Sequence, residues 1–145
     1  MSSTLVYDAV KARLVDQLGG TYPIRDWEEI ETALQRETAA WISIEDSGGA
    51  NELNSVGSPS SNWVTDNGFI DVHALVPSTG GLSPARVVAE QIRTALMFQQ
   101  FTLTEGHLRT LTVEPPDTGY IHNGLWHSMR VTMNYSHQYA RPTAA

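Results

Sequence analysis

The sequence predicts an α+β domain, with a mainly antiparallel sheet and two principal helices packed on one of its faces. Two of its segments carry apolar residues at helical spacing, and four shorter segments alternate apolar and polar residues as strands do. Short hairpin-like links join the strands, which favours antiparallel neighbours. Helices gathered on one face of such a sheet define the α+β class.

The first helix is predicted near the N-terminus, after a capping cluster at residues 2–4. Its apolar positions recur every four residues, at Val6, Val10, Leu14 and Leu18. The glycine pair at 19–20 then ends it, since glycine is common just past a helix end.

The second helix is predicted over residues 84–100. Ser83 is placed at its N-cap and Pro84 at its first helical position, where proline is well tolerated. Its apolar stripe consists of Val88, Ile92, Ala95 and Leu96. One face of this helix should therefore pack on the sheet.

Four strands are predicted, at residues 41–44, 69–76, 108–114 and 125–135. The second has the clearest alternation, because Ile70, Val72, Ala74 and Val76 share one apolar face, and Pro77 ends it.

Turns are predicted between these elements. Asn67-Gly68 is typical of a tight hairpin turn, since both residues tolerate positive φ. Residues 115–119 should form another turn, and Asn123-Gly124 should open the last strand.

The other segments are less regular, and the chain is expected to form one domain over residues 1–145. A short helix is predicted at 28–37. Residues 46–62, rich in glycine and serine, are predicted to be a long flexible loop that is either simply mobile or becomes ordered on a partner. The tail after Tyr139 is expected to be disordered.

The composition argues against several classes of function. The chain has 9 basic and 16 acidic residues, a formal charge of −7, and no cysteine. This balance disfavours non-specific binding to nucleic acid and to anionic membranes. The absence of cysteine removes thiolate catalysis and cysteine-ligated metals. We expect no signal peptide and no membrane helix.

No catalytic or cofactor motif stands out, so we expect a protein that is not an enzyme and needs no cofactor or metal. The five histidines lack the close-spaced pairs typical of zinc sites. P-loop, dinucleotide and nucleophile-elbow motifs are absent. The alternative is a small enzyme or ligand-binding domain whose site converges from His73, His127 and acidic neighbours.

The four tryptophans divide into two pairs. Trp41 and Trp126 lie in predicted strands and should pack in the core. Trp27 and Trp63 flank irregular segments, so each is either a surface anchor for binding or a buried lid over a sheet edge.

Taken together, the order of elements resembles the tail-terminator (tail-completion) proteins of long-tailed bacteriophages and gene-transfer particles, over nearly the whole chain. The resemblance rests on the N-terminal helix and on four motifs in order: residues 41–44 leading into the Gly/Ser loop, residues 68–73 with Pro77, the Gly-x-Ser-Pro-Ala-Arg sequence at 81–86, and Gly-Leu-Trp-His at 124–127.

This resemblance implies a non-enzymatic virion protein of the tail or neck, assembled in the host cytoplasm. Members of that family form a hexameric ring with copies of themselves. The ring caps the tail tube protein, stops tube polymerisation, and offers a surface to the head–tail connector or stopper protein. DNA passes through the ring without specific binding. Other neck proteins, such as head–tail stoppers and adaptors, are the nearest alternatives.

A ring of this kind would favour an acidic lumen, because carboxylates repel DNA phosphates. The candidates for this lining are Glu45, Asp46, Asp66 and Glu114. The candidates for contacts with neighbouring subunits or the tube are Trp63, Asn67, Gly68, Asn123 and Gly124.

Overall fold

The fold was analysed in a computed structural model, which describes residues 4–27, 38–55, 61–103, 106–122 and 125–142. In these parts of the chain the helices are α1 (Thr4–Leu18) and α2 (Ser83–Leu96), with a short 3₁₀ turn at Ser78–Gly80. The strands are β1 (Ile24–Asp26), β2 (Trp41–Ser55), β3 (Ser61–Pro77), β4 (Gln100–Thr102), β5 (His107–Val113), β6 (Asp117–His122) and β7 (Trp126–Pro142).

All seven strands belong to one sheet, in the order β1-β2-β3-β7-β5-β4, with β6 paired to β7 beside this path. Among the pairs that these described strands form, only β1–β2 is parallel. The predicted α+β class with a mainly antiparallel sheet is therefore confirmed. Antiparallel pairing suits this chain because short links join most of the strands.

Both helices pack on the same face of the sheet and bury the apolar positions that the sequence indicated. Val6, Val10 and Leu14 of α1 and Val88, Ile92 and Leu96 of α2 are at most 3% exposed. Opposite them lie the inward residues of the central strands: Ile42, Ile44, Ile70, Val72, Ala74, Val76, Met129, Val131, Met133 and Tyr135. This helix-side core is the main core of the domain.

The ends of α2 differ from the prediction. The N-cap is Leu82 instead of Ser83, and Pro84 lies in the first turn of the helix, where its missing N–H has no intrahelical partner to lose. The helix ends at Leu96 and does not reach residue 100. Phe98, at φ 57°, turns the chain away from the helix axis and into β4.

The predicted flexible loop at 46–62 is wrong for most of its length. Residues 46–55 pair with β3 in one long hairpin, and residues 61–62 pair with β7. Residues 56–60 lie outside the described residues. Glycine and serine suit an extended strand when a neighbouring strand satisfies their backbone groups, and β3 does this for most of the segment.

The turn predicted at Asn67-Gly68 is also wrong. Asn67 pairs with Ala50 on one side and Ser136 on the other, in the middle of β3. Neither Asn67 nor Gly68 is among the residues with positive φ. Strand pairing on both sides has therefore overridden a local turn preference, as tertiary context often does.

Two smaller predictions near the end of the chain need correction. Of the turn predicted at 115–119, residues 117–119 belong to β6. The tail does not begin after Tyr139, because β7 continues to Pro142. The helix predicted at 28–37 and the opening of the last strand at Asn123-Gly124 lie outside the described residues. Among the described helices, none is long and apolar enough to cross a bilayer.

Candidate functional site

The sheet has a second face, turned away from the helices, and it carries most of the buried polar groups of the described chain. Strand positions alternate between faces, so the neighbours of the apolar core residues point to this side. Ser43, Asp71, His73 and Ser128 are each less than 10% exposed there. A face lined with buried polar groups is the first place to test for chemistry.

A small apolar cluster with two tryptophans lies on this face. Trp41, Leu75 and Trp126 form a second buried cluster, separate from the helix-side core. The two indole rings meet edge to face, with centroids 6.3 Å apart and planes at 85°. The prediction that both tryptophans pack in the interior is confirmed, although they pack on the side of the sheet opposite the helices.

His73 lies in the middle of the second face and is held on two sides. Its Nε2 lies 2.8 Å from Oε2 of Glu45 on the adjacent strand β2. The ring of Trp27 stacks on the imidazole at a centroid distance of 4.2 Å. Trp27 is half-buried, and it therefore acts as a partial cover over this strand pair.

The protonation of His73 follows from these contacts. Burial lowers the pKa of the imidazole below its usual value, because the charged form loses its hydration. The hydrogen bond and charge of Glu45 oppose this effect without reversing it. His73 is therefore mainly neutral at pH 7 and serves as a hydrogen-bonding partner in the sheet.

Two further polar pairs extend across the same face. Thr132 Oγ1 donates to Asp71 Oδ1 at 2.5 Å, joining β7 to β3. Arg130 on β7 forms an exposed ion pair with Asp117 on β6, at 3.0 Å. Each of these groups therefore has a structural partner on the neighbouring strand.

The enzyme alternative required His73 and His127 to converge, and the register of the sheet separates them. His127 stands opposite Val76, a residue of the helix-side core. His73 stands opposite Arg130, on the other face. Among the described residues, no group of three or more His, Asp or Glu side chains is placed to hold a metal ion. The arrangement favours cross-strand stabilisation over proton transfer.

The four residues proposed for an acidic lumen occupy three kinds of position. Glu45 stands opposite Asp71 and is engaged with His73. Asp46 stands opposite Ile70, and Asp66, four residues before Ile70 on β3, stands opposite His137. These two positions share the register of Ile70, whereas Glu45 has that of Asp71. Glu114 is exposed just after β5. Because consecutive strand positions face opposite ways, the register does not bring the four onto one face.

The residues proposed for subunit contacts are placed as follows. Trp63 pairs through its backbone with Ser55 and Ala140. Asn67 and Gly68 are bonded into strands on both sides, so their backbone groups are not available to another chain. Only the side chain of Asn67, which is exposed, can take part.

Sequence reasoning missed the links between these residues. Alternation placed Asp71 and His73 on the face opposite Ile70 and Val72, which was the available signal. The pairing of His73 with Glu45 depends on the β2–β3 register, and that register is set by a long hairpin in place of the predicted loop at 46–62. Trp27 reaches His73 through the parallel pairing of β1.

Comparison with known proteins shows the fold. No family model and no curated protein matches the sequence. Among solved structures, a chain from the virion of a native gene transfer agent particle is 15% identical, with a TM-score of 0.62 over 97% of this chain and 100% of that one. Another solved chain, whose name states no function, is 16% identical, with a TM-score of 0.60 over 96% and 97% of the two chains. At such identities the comparison establishes a shared fold along the whole length of the chain.

Proposed function

We propose that this chain is a virion structural protein that resembles phage tail terminators. In this proposal, copies of the chain form a hexameric ring that caps the tail tube and stops its polymerisation. The same ring offers a joining surface to the head–tail connector or stopper protein and lets DNA pass through its centre. It belongs to the tail or neck of the particle, assembled in the host cytoplasm.

The observation that carries this proposal is the full-length likeness to a gene transfer agent virion chain. The match covers 97% of this chain and all of the other, so the likeness in fold extends along both chains. The sequence motifs also resemble proteins of gene-transfer particles, and this resemblance is independent of the comparison of folds.

The edges of the sheet support assembly with other copies. β1 covers β2 only at residues 42–44. On the opposite edge, β4 covers β5 only at residues 107–109. Within the described chain, β1 pairs with no residue of β2 beyond Ile44, so the outer edge of β2 has no strand beside it from Asp46 to Ser55. An uncovered strand edge is a template for pairing, and different edges on two sides of one subunit suit the head-to-tail contacts of a closed ring.

Charge supports the passage of DNA. A formal charge of −7 disfavours binding to phosphates in a narrow channel. Glu45, Asp46, Asp66 and Glu114 remain the proposed lining. Glu114 is the residue to test first, because it is exposed just after β5, whereas Glu45 is the hydrogen-bonding partner of the buried His73. Glu114→Lys should leave ring formation near normal while strengthening DNA binding in a gel-shift titration at low salt. Unchanged DNA binding by an intact ring would remove Glu114 from the lumen.

The alternatives receive less support. The separation of His73 from His127 across the sheet leaves an enzyme without a converged site in the described chain. A head–tail stopper or adaptor would also assemble with neck proteins but would not bind the end of a tail tube. Binding to purified tube protein therefore separates this alternative from the proposal.

The direct test is native mass, measured with the chain alone and with its tail tube protein. The proposal predicts a species several times 16.0 kDa, either free or bound at the tube end, because assembly can require the tube as a template. A chain that remains monomeric in both samples would contradict the proposal.

A further inference from the structure

We propose that Phe98 is a docking anchor, whose phenyl ring enters the groove between α1 and α2 of a neighbouring copy. This inference rests on the proposed ring and names one contact that would build it. It is carried by the conformation of Phe98 and by the shape and lining of the groove.

Phe98 combines high exposure with an unfavourable backbone conformation. It is 87% exposed, the highest value among the large hydrophobic side chains of the described chain. Its φ of 57° is in the left-handed region, where a bulky aromatic residue is a clear outlier. Glycine or asparagine would satisfy this turn at less cost. Strain of this kind often accompanies a functional position.

Hydrogen bonds on both sides hold the turn that presents Phe98. The N–H of Met97 donates to the carbonyl of Arg93 at 2.9 Å. The side chain of Gln99 donates to the carbonyl of Met97 at 2.9 Å, and the N–H of Thr110 donates to the carbonyl of Gln99 at 3.0 Å. The phenyl ring is therefore presented from a fixed backbone, which lowers the entropy lost when it binds.

A groove on the same chain offers a receptor of suitable chemistry. It lies between α1 and α2 and has a volume of about 760 Å³. Most of its lining surface is apolar and includes Leu18, Val87 and Ala95, although charged residues such as Arg13, Arg86 and Glu90 also border it. Val87 is 57% exposed although it is aliphatic. Arg13 donates from Nε to the carbonyl of Ala95 at 3.0 Å, which ties the two helices together at this point.

Within the described parts of the chain, the anchor does not occupy the groove. Phe98 is not among the residues that line the groove, and its high exposure shows that its own fold does not cover it. The residues beside it in the turn, Met97, Gln99 and Gln100, are uncharged, so the turn can approach the helices without placing an ionised group on apolar surface. An exposed apolar knob and a separate apolar groove on one chain are the two halves of a head-to-tail contact between copies. Buried aromatic anchors in such pockets commonly dominate binding energy.

The first variant to test is Phe98→Gly. Glycine adopts positive φ without strain, so the unfolding midpoint should stay at or above that of the parent chain, measured by circular dichroism. Assembly, measured by native mass under the conditions where the parent chain forms its ring, should weaken at least tenfold. Phe98→Trp keeps an aromatic anchor and should assemble. A Phe98→Gly chain that folds and assembles like the parent would overturn the inference.

The groove is tested separately with a matched pair of substitutions. Val87→Glu places a carboxylate in the groove and should weaken assembly, whereas Val15→Glu makes the same change at a 50% exposed valine outside it and should not. Equal effects of the two variants would overturn the inference.

Mixing the two defective variants tests whether one contact joins the anchor to the groove. Phe98→Gly keeps its groove and Val87→Glu keeps its anchor, so the mixture should form heterodimers through one intact contact but no closed ring. A mixture without heterodimers, or one that closes into rings, would overturn the inference. These outcomes differ from failure of the proposed function, in which the parent chain itself never assembles, even with its tube.

Discussion

Truncating Ile92 to alanine should remove a large part of the stability of the domain. Ile92 is fully buried where α2 packs on the sheet. The change removes three carbon atoms, worth about 2.4 kcal/mol at about 0.8 kcal/mol each. Incomplete collapse of the resulting cavity adds to this loss, and the better helix propensity of alanine returns about 0.5 kcal/mol. We therefore expect the free energy of unfolding to fall by about 2–5 kcal/mol.

The assay is urea unfolding, and two neighbouring valines on α2 provide its control. Val88 is 3% exposed and Val87 is 57% exposed, so Val88→Ala and Val87→Ala make the same chemical change with different burial. Val88→Ala should cost about 2 kcal/mol, whereas Val87→Ala should be within about 0.5 kcal/mol of the parent. If Ile92→Ala lies within error of the parent, or the two valine variants are equal, the packed face of α2 has been wrongly identified.

Three further predictions concern the rest of the fold. Asp26→Asn should lower the free energy of unfolding by about 1 kcal/mol, because Asp26 accepts hydrogen bonds from Tyr7 and Lys11 of α1. His73→Gln should reduce the loss of stability between pH 8 and pH 5, measured by urea unfolding. The folded pKa of His73 is lowered, so the unfolded chain binds more protons and stability falls as the pH drops through about 6.5. Replacing residues 50–67 with a two-residue turn should leave a folded domain while impairing assembly, because the helix-side core lies outside that segment.

These predictions have their own controls. Asp16→Asn on the exposed side of α1 should have little effect, and an equal loss at Asp16 and Asp26 would exclude the role given to Asp26. Asp26 also has a lowered pKa, but its stabilisation is lost below its usual value of 3.8, outside the window of His73. Identical pH profiles for the parent and His73→Gln would contradict the buried neutral imidazole. If the shortened hairpin unfolds the domain, its arm is structural.

Local periodicity predicted the helices and the strand that bury one apolar face in the core. α1, α2 and the apolar side of β3 follow directly from repeats such as Val6 to Val10 and Ile70 to Val72, because each set of side chains needs the same core. The α+β class follows from the order of these elements. The N-terminus of α2 differs from the prediction by one residue, although serine is a better N-cap than leucine. Its C-terminus falls at Leu96 because the chain turns at Phe98 into β4.

The long hairpin could not be predicted because its stability comes from strands distant in sequence. Residues 61–67 pair on their other side with residues 136–142 of β7. This pairing satisfies the backbone N–H and C=O groups of a segment whose own sequence shows no strand periodicity. The Asn67-Gly68 turn preference was overridden by the same pairing. The contact between His73 and Glu45 depends on strand register, which leaves no periodic pattern in the sequence. The exposed turn at Phe98 depends on a reversal of the chain, which leaves none either.

The most direct test of the proposed function is the length of tail tubes assembled with and without this chain. Purified tube protein is polymerised alone and in the presence of the chain, and the tubes are measured and their ends inspected by electron microscopy. We expect free growth in the first sample. In the second, we expect tubes that stop growing and carry a ring of this protein at one end. Tubes that grow equally in both samples, with no added density at either end, would contradict the proposal.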